Sequence, residues 1–243
     1  MLAIFKRELT SFFSSPTGYL VVGLFLVING LFLWVFKGPF NIFDYGFADL
    51  SKLFLLAPWV FLFLIPAITM RSFSEERKLG TLELLFIKPL GVWNTVAGKF
   101  LGTLVLALIA IAPTVLYVFA ISALGSTEGN LDIGLVLGSY FGLIFLIVAY
   151  TAIGLFASVI TDNQIVAFLV GVLLCFAFYY GFEAVGTLFT SGSTALFIEN
   201  FGMKSHFESM AAGVVNTKDL IYFASLAIFF LYTAVNHLNN LER

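Results

Sequence analysis

The chain has 243 residues, of which 60% are apolar and 11% are charged, and its mean hydropathy is +1.04. Soluble domains are about half apolar and about a quarter charged, so this composition excludes a soluble globule and also a disordered chain. The formal charge of −2 offers no basic field for nucleic acid, and the single cysteine, Cys175, excludes a disulfide framework and a thiolate metal cluster. The sequence therefore predicts an all-α integral membrane protein.

The first residues have a helical pattern of their own. Leu2, Phe5, Leu9 and Phe12 recur at steps of three, four and three, which places them on one face of a helix. We expect an amphipathic helix that lies in the membrane interface with this face toward the acyl chains. The Ser-Ser-Pro run at 14–16 is predicted to end it. A plain cytosolic lead-in is the alternative.

Six uncharged stretches approach or exceed the roughly 20 apolar residues that a bilayer crossing needs. A β-barrel would show shorter segments of alternating polarity, so six transmembrane helices are predicted. The stretches are 18–36, 53–70, 100–124, 133–160, 165–182 and 220–236.

The distribution of lysine and arginine predicts the orientation, since these residues concentrate in cytoplasmic loops. With a cytoplasmic N-terminus, the inner segments hold eight such residues and the outer segments hold four. We therefore expect both termini in the cytoplasm. The inner residues are Lys6, Arg7, Arg71, Arg77, Lys78, Lys88, Lys99 and Arg243, and the outer ones are Lys37, Lys52, Lys204 and Lys218.

The inner loop 71–99 holds eight of the 26 charged side chains. Ser72 and Glu75 have the spacing of a capping box, which predicts the start of a short helix, and Gly80 interrupts it. A second helix is predicted over 82–88, capped by Thr81 and ended by the proline that follows. This second helix is mostly apolar, so it either docks into a partner or folds against its own bilayer.

The loop resembles the signature of ABC-2 type transporter permeases over about thirty residues. In that family an Arg, a Glu, a Gly-Thr-Leu-Glu-Leu-Leu run, a Pro and a Gly-Lys pair follow in this order. The matching residues here are Arg71, Glu75, Glu76, Gly80, Thr81, Leu82, Glu83, Leu84, Leu85, Pro89, Gly98 and Lys99. Within the family the chain looks most like the short permease of the bacterial gliding-motility system, and permeases of copper-enzyme maturation systems are similar.

The resemblance implies one permease domain over 1–243 in a bacterial inner membrane, serving export or mechanical and assembly work. A separate cytosolic ATPase would bind ATP and Mg²⁺, and a second permease half, with a further membrane or periplasmic subunit in some systems, would complete the complex among membrane lipids. The sequence contains no phosphate-binding Gly-x-x-x-x-Gly-Lys-Ser/Thr loop, so no cofactor and no catalysis are expected in this chain. The implied ATPase-coupling residues are Glu75, Glu76, Gly80, Thr81, Leu82, Glu83, Leu84, Leu85 and Pro89.

The uncharged stretch 184–198 is too short and too polar to cross the membrane. It fits a re-entrant or interfacial hairpin between the fifth and sixth spans, which needs cover from protein or a wet cavity. The family resemblance implies an outer gate at this place, and an ordinary outer loop is the alternative. The expected gate residues are Glu183, Ser191, Gly192, Ser193 and Glu199.

Gly134, Gly138 and Gly142 give the fourth span two overlapping Gly-x-x-x-Gly spacings, which allow another helix to approach closely. Packing within the chain and dimerisation explain them equally well. His206 and His237 are expected on opposite sides of the membrane, so neither predicts a metal site or a proton relay.

Three other functions compete with the permease. An ion-coupled secondary carrier usually needs buried charged residues near the midplane, and an intramembrane enzyme needs a base in its spans, whereas the six predicted spans contain no charge and no histidine. A non-transporting anchor of a larger complex stays open. The sequence indicates no substrate.

Overall fold

The computed structural model describes residues 1–82, 91–125 and 131–242, and helices are the regular elements of these ranges. Within them, six helical stretches are long and apolar enough to cross a membrane, which confirms the predicted six spans and a multi-pass membrane protein. These stretches are Pro16–Val35, Ser51–Lys78, Val92–Leu124, Ile133–Ile160, Gln164–Gly186 and Thr217–Leu241.

The helices are numbered in chain order. They are α1 (Leu2–Ser14), α2 (Pro16–Gly30), α3 (Ile42–Tyr45), α4 (Ser51–Thr69), α5 (Ser74–Lys78), α6 (Val92–Ile111), α7 (Val115–Leu124), α8 (Ile133–Ile160), α9 (Gln164–Phe176), α10 (Phe182–Gly186), α11 (Gly192–Glu199), α12 (Met203–Ala211) and α13 (Thr217–Glu242). The third span begins at Val92, eight residues before the predicted start at residue 100. The prediction stopped at the charge of Lys99, which the fold places inside the helix.

The centre of the bundle is α8, which packs against α4, α9, α12 and α13. In an 18-residue window of its span 72% of the residues are buried, against 22% to 28% in the windows of the spans that contain α2, α9 and α13. At a rise of about 1.5 Å per residue, its 28 residues extend about 42 Å. Its first turns contact α12 and its last turn contacts α5, so these two elements lie at opposite ends of the bundle. We call the end of the bundle at α12 the hairpin end and the end at α5 the α5 end.

The lead-in helix α1 ends at Ser14, and Ser15 is extended before α2 begins at Pro16, which confirms the predicted break. The helix packs along α6 at two glycines four residues apart. A Cβ at Gly98 would lie 2.9 Å from Ile4 Cβ, and one at Gly102 would lie 2.8 Å from Glu8 Cβ. The side of α1 that faces the protein therefore includes Ile4 and the polar Glu8.

The face predicted for the acyl chains is only partly exposed. Leu2 is 69% exposed, Phe5 and Leu9 are half-buried, and Phe12 is buried. The placement of α1 in the interface stays a prediction.

Candidate functional site

A buried lysine organises the α5 end. Lys99, on the second turn of α6, is 2% exposed. Its Nζ donates to Glu8 Oε1 at 3.2 Å, to Glu76 Oε1 at 2.9 Å and to the carbonyl of Ser72 at 2.6 Å. An ammonium has three protons to donate, so these three acceptors satisfy it, and it lies 4.9 Å from the ring centroid of Phe73.

Arg7 on α1 completes a group of four charges. Its Nη2 lies 3.3 Å from Glu8 Oε1 and 3.0 Å from Glu76 Oε1. Burial lowers the pKa of the Arg7 guanidinium, but the hydrogen bonds and charges of the two glutamates outweigh it and raise the pKa above its ordinary value. We call Arg7, Glu8, Glu76 and Lys99 the ionic cluster. It is neutral overall and joins α1, α5 and α6.

The start of α5 is held by a side chain from α8. Ser158 Oγ accepts from the amides of Phe73 at 2.9 Å and Ser74 at 3.2 Å, and it donates to the carbonyl of Met70 at 3.1 Å. The predicted capping box at Ser72 is therefore wrong: α5 begins at Ser74, and no side chain of its own caps it. A serine 84 residues further along the chain accepts from the free amides instead.

Arg77 ties α5 to the end of α8. Its Nη1 donates to the carbonyls of Val159 and Ile160, each at 3.2 Å. These carbonyls belong to the last turn of α8, where a helix carries partial negative charge and a cation is favourable. The segment 70–82 is thus fixed to α1, α6 and α8.

The opposite side of α5 is exposed. Glu75 and Lys78 are exposed, and Leu79 is 67% exposed. Gly80 then adopts φ +67°, a left-handed conformation that favours glycine, and turns the chain. After it, the amide and hydroxyl of Thr81 donate to the carbonyl of Glu76 at 2.9 and 3.2 Å.

Of the remaining residues expected to couple to an ATPase, Leu82 is buried. Glu83, Leu84, Leu85 and Pro89 lie outside the described residues, as does the rest of the helix predicted over 82–88.

The hairpin end contains the residues expected to form an outer gate. The helices α10 and α11 form a helical hairpin. Glu183 and Glu199 share a cavity of about 110 Å³, in which Lys204 Nζ donates to Glu183 Oε1 at 2.7 Å. Ser191, Gly192 and Ser193 are exposed at the turn, apart from these acids. The structure therefore brings the two glutamates together and leaves the Ser-Gly-Ser run at the tip.

The glycines of α8 contact α12 of the same chain. A Cβ at Gly138 would lie 2.7 Å from the carbonyl oxygen of Met210, and one at Gly142 would lie 2.9 Å from Met210 Cβ. Gly134 instead lies beside Asp132, whose carboxylate caps α8 by accepting from the amide of Leu135. Packing within the chain accounts for two of the three glycines.

A family model described as ABC-2 family transporter protein matches residues 48–238, which is more than half of the chain. The chain belongs to the ABC-2 transporter family. Permeases of this family are membrane transport components rather than catalytic subunits, and they typically work with a cytosolic ATPase. No curated protein matches the chain.

The sequence did not predict that the four residues of the ionic cluster of this ABC-2 permease lie together. Glu76 and Lys99 were singled out separately, and Arg7 was counted only as a basic residue. One signal was present: Gly98 and Gly102 have the Gly-x-x-x-Gly spacing, which indicates a closely packed helix at this point. The sequence does not indicate which helix packs there.

Proposed function

We propose that this chain is the permease subunit of an ATP-driven ABC-2 transporter, and that segment 70–82 with the residues after it receives the movement of a cytosolic ATPase. One observation carries the proposal. The segment is fixed to three helices on one side, while Glu75, Lys78 and Leu79 on its other side are exposed and without cover from this chain.

The contacts allow force to pass from this segment into the bundle. Sliding α5 along α6 would separate Glu76 from Lys99 and expose charges that now compensate one another at 2% and 19% side-chain exposure. Breaking a fully buried pair costs about 3–5 kcal/mol, and the partial exposure of Glu76 makes the cost smaller here. A push on α5 is therefore expected to move α1, α5 and the start of α6 together rather than to separate them, and Arg77 extends the connection to α8.

The proposal has finer parts that rest on the family and on the residues. The ATPase binds ATP and Mg²⁺, a second permease half completes the pathway, and both termini lie in the cytoplasm of a bacterium. Residues 1–243 form a single permease domain, which the packing of α1 on α6 supports. The docking contacts continue into Glu83, Leu84, Leu85 and Pro89. Gliding-type mechanical work is the narrower form of the proposal, carried by the sequence resemblance.

An outer gate is proposed for α10 and α11. The hairpin leaves large apolar side chains exposed on both sides of its turn, among them Leu188 at 80% and Phe197 at 65%. Aromatic and apolar side chains of this kind suit a position in the membrane interface. Glu183 and Glu199 line the cavity behind the hairpin.

The test is retention of the ATPase. The ATPase subunit is identified by affinity purification from native membranes and then co-expressed with tagged permease variants. Glu75→Lys reverses a charge at the proposed interface, and Leu79→Asp places a carboxylate there. Each variant is expected to abolish retention of the ATPase. Membrane levels of the permease are expected to stay normal, because both side chains are exposed in the permease alone. Lys218→Glu is the matched control, since it reverses an exposed charge at the hairpin end. Undiminished retention with both α5 variants contradicts the proposal.

A further inference from the structure

His206 lies between three elements at the hairpin end. It belongs to α12, its Nδ1 lies 2.6 Å from Asp219 Oδ1 on α13, and its Nε2 lies 2.9 Å from the carbonyl oxygen of Asn200, which precedes α12. Its ring stacks on Tyr222, with 4.0 Å between the ring centroids. The imidazole therefore has a fixed orientation and an oxygen atom opposite each of its nitrogens.

These two oxygens determine the protonation of the ring. A backbone carbonyl can only accept a hydrogen bond, so Nε2 carries a proton. An ionised carboxylate also can only accept a hydrogen bond, so beside an ionised Asp219 the Nδ1 atom carries a second proton. A neutral imidazole has a single N–H and cannot serve both acceptors. With Asp219 ionised, the two contacts therefore describe a His206 imidazolium bound to an Asp219 carboxylate.

Loss of this proton would leave a buried charge without its partner. Asp219 is 0% exposed, and its Oδ2 has no hydrogen-bond partner among the described residues. The Nδ1–H of His206 is thus the hydrogen-bond donor that the described residues offer to this carboxylate. A deprotonated ring keeps one N–H and must give up either Asp219 or Asn200. An ionised group left unpaired in the interior is costly, so the remaining proton is expected to stay with Asp219 and the contact to Asn200 to be lost.

The contact to Asn200 holds the base of the hairpin. Residues 200–202 connect α11 to α12, and three side chains bind them: His206 binds the carbonyl of Asn200, the hydroxyl of Tyr222 donates to the carbonyl of Phe201 at 2.7 Å, and the hydroxyl of Ser205 donates to the carbonyl of Gly202 at 3.0 Å. Only the first of these bonds depends on a proton that imidazole exchanges between about pH 5 and 8.

We propose that His206 is a proton-dependent clasp that fastens the α10–α11 hairpin to the last span. The clasp is closed while the ring is doubly protonated, and it opens as the pH rises, because the Asn200 contact is lost with the proton. The other charged groups on α10, α11, α12 and the first turn of α13 are Glu183, Glu199, Lys204, Glu208 and Lys218, and Tyr222 is the titratable group stacked on the ring. Of these, Lys204 is paired with Glu183, and its Nζ lies 3.6 Å from Glu208 Oε1. This inference does not depend on the ATPase partner.

A spectroscopic test reads the protonation directly. The chain has two histidines, so the His237→Gln variant leaves His206 as the only one. With ¹⁵N-labelled histidine in lipid nanodiscs, two protonated ring nitrogens are expected at about pH 6, with conversion to one neutral tautomer as the pH is raised. A neutral tautomer at about pH 6, or a doubly protonated ring at every pH studied, overturns the proposal.

A second test follows the hairpin. Nitroxide labels are placed at two exposed positions, Ser193 on α11 and Ile221 on α13, in a Cys175→Ala background. Their distance distribution, measured by pulsed electron paramagnetic resonance, is expected to be narrow at acidic pH and to broaden at alkaline pH.

In the His206→Gln variant, the distance distribution is expected to be broad at both pH values. The Asp219→Asn variant, in which a neutral amide replaces the carboxylate, is expected to lose most of the pH response. His237→Gln is the matched control and keeps the wild-type response. A wild-type distribution that does not change with pH, or a full response in the His206→Gln or Asp219→Asn variant, contradicts the clasp.

Discussion

Replacing Lys99 by methionine tests whether the ionic cluster stabilises this ABC-2 permease. Methionine keeps the length and apolar stem of the side chain but removes three charge-assisted hydrogen bonds. It leaves Glu8 and Glu76 with Arg7 as their one remaining cation in the ionic cluster. Removal of one partner from a fully buried pair costs about 3–5 kcal/mol.

The expected cost here is smaller, because water reaches part of the cluster. The side chains of Glu8 and Glu76 are 15% and 19% exposed, and Arg7 is 52% exposed. We therefore expect a loss of about 2–3 kcal/mol in the free energy of unfolding. For a chain of this length the loss corresponds to a fall of about 5–10 °C in the melting temperature.

The single cysteine provides the assay. Cys175 is 0% exposed, so a thiol-reactive fluorescent dye labels it only as the detergent-solubilised protein unfolds on heating. The double variant Lys99→Met, Glu8→Gln is expected to recover about half of the loss, since it removes the one excess negative charge left by Lys99→Met and keeps the pair of Arg7 with Glu76.

Lys6→Met is the matched control, because Lys6 is exposed on the same helix as Glu8, and it is expected to change stability by less than about 0.5 kcal/mol. If Lys99→Met melts within about 1 °C of the wild type, the ionic cluster does not hold α1, α5 and α6 together, and the proposed coupling route loses its physical basis.

Three further predictions are independent of the ionic cluster. Gly138→Ala is expected to destabilise the protein by about 1–3 kcal/mol, because the new Cβ would lie 2.7 Å from a backbone oxygen. Gly23→Ala is the control and is expected to be neutral or slightly stabilising, since its Cβ would have nothing within 4 Å. Melting curves of the two variants measure the difference. Single cysteines at the exposed positions Leu79 and Ser191, in a background without the native cysteine, are expected to react with an impermeant maleimide from opposite sides of the membrane, and labelling of both from one side would contradict the six-span topology. The purified chain is expected to show no ATP turnover, since its sequence has no phosphate-binding loop, and hydrolysis that persists through further purification steps would refute this.

The sequence by itself determined the number of spans and several of their ends. A bilayer crossing requires a run of apolar residues of a certain length, and this requirement acts on each stretch separately, so all six helices could be located without knowing how they pack. The break at 14–16 was also local, since Pro16 fixes its own backbone and disfavours helix in the residue before it. The family signature, likewise, is a property of consecutive residues.

Only the tertiary structure decided which polar groups meet. Lys99 was assigned to a loop because a lysine in an apolar helix is costly, but acceptors 91 and 23 residues away compensate it. Ser72 was expected to cap α5, yet the amides at that helix start bind Ser158. The partners of His206 were equally hidden, because its two acceptors belong to different elements. A buried polar atom must find a partner wherever the packing of helices places one, and the spacing of residues along the chain contains no record of that packing.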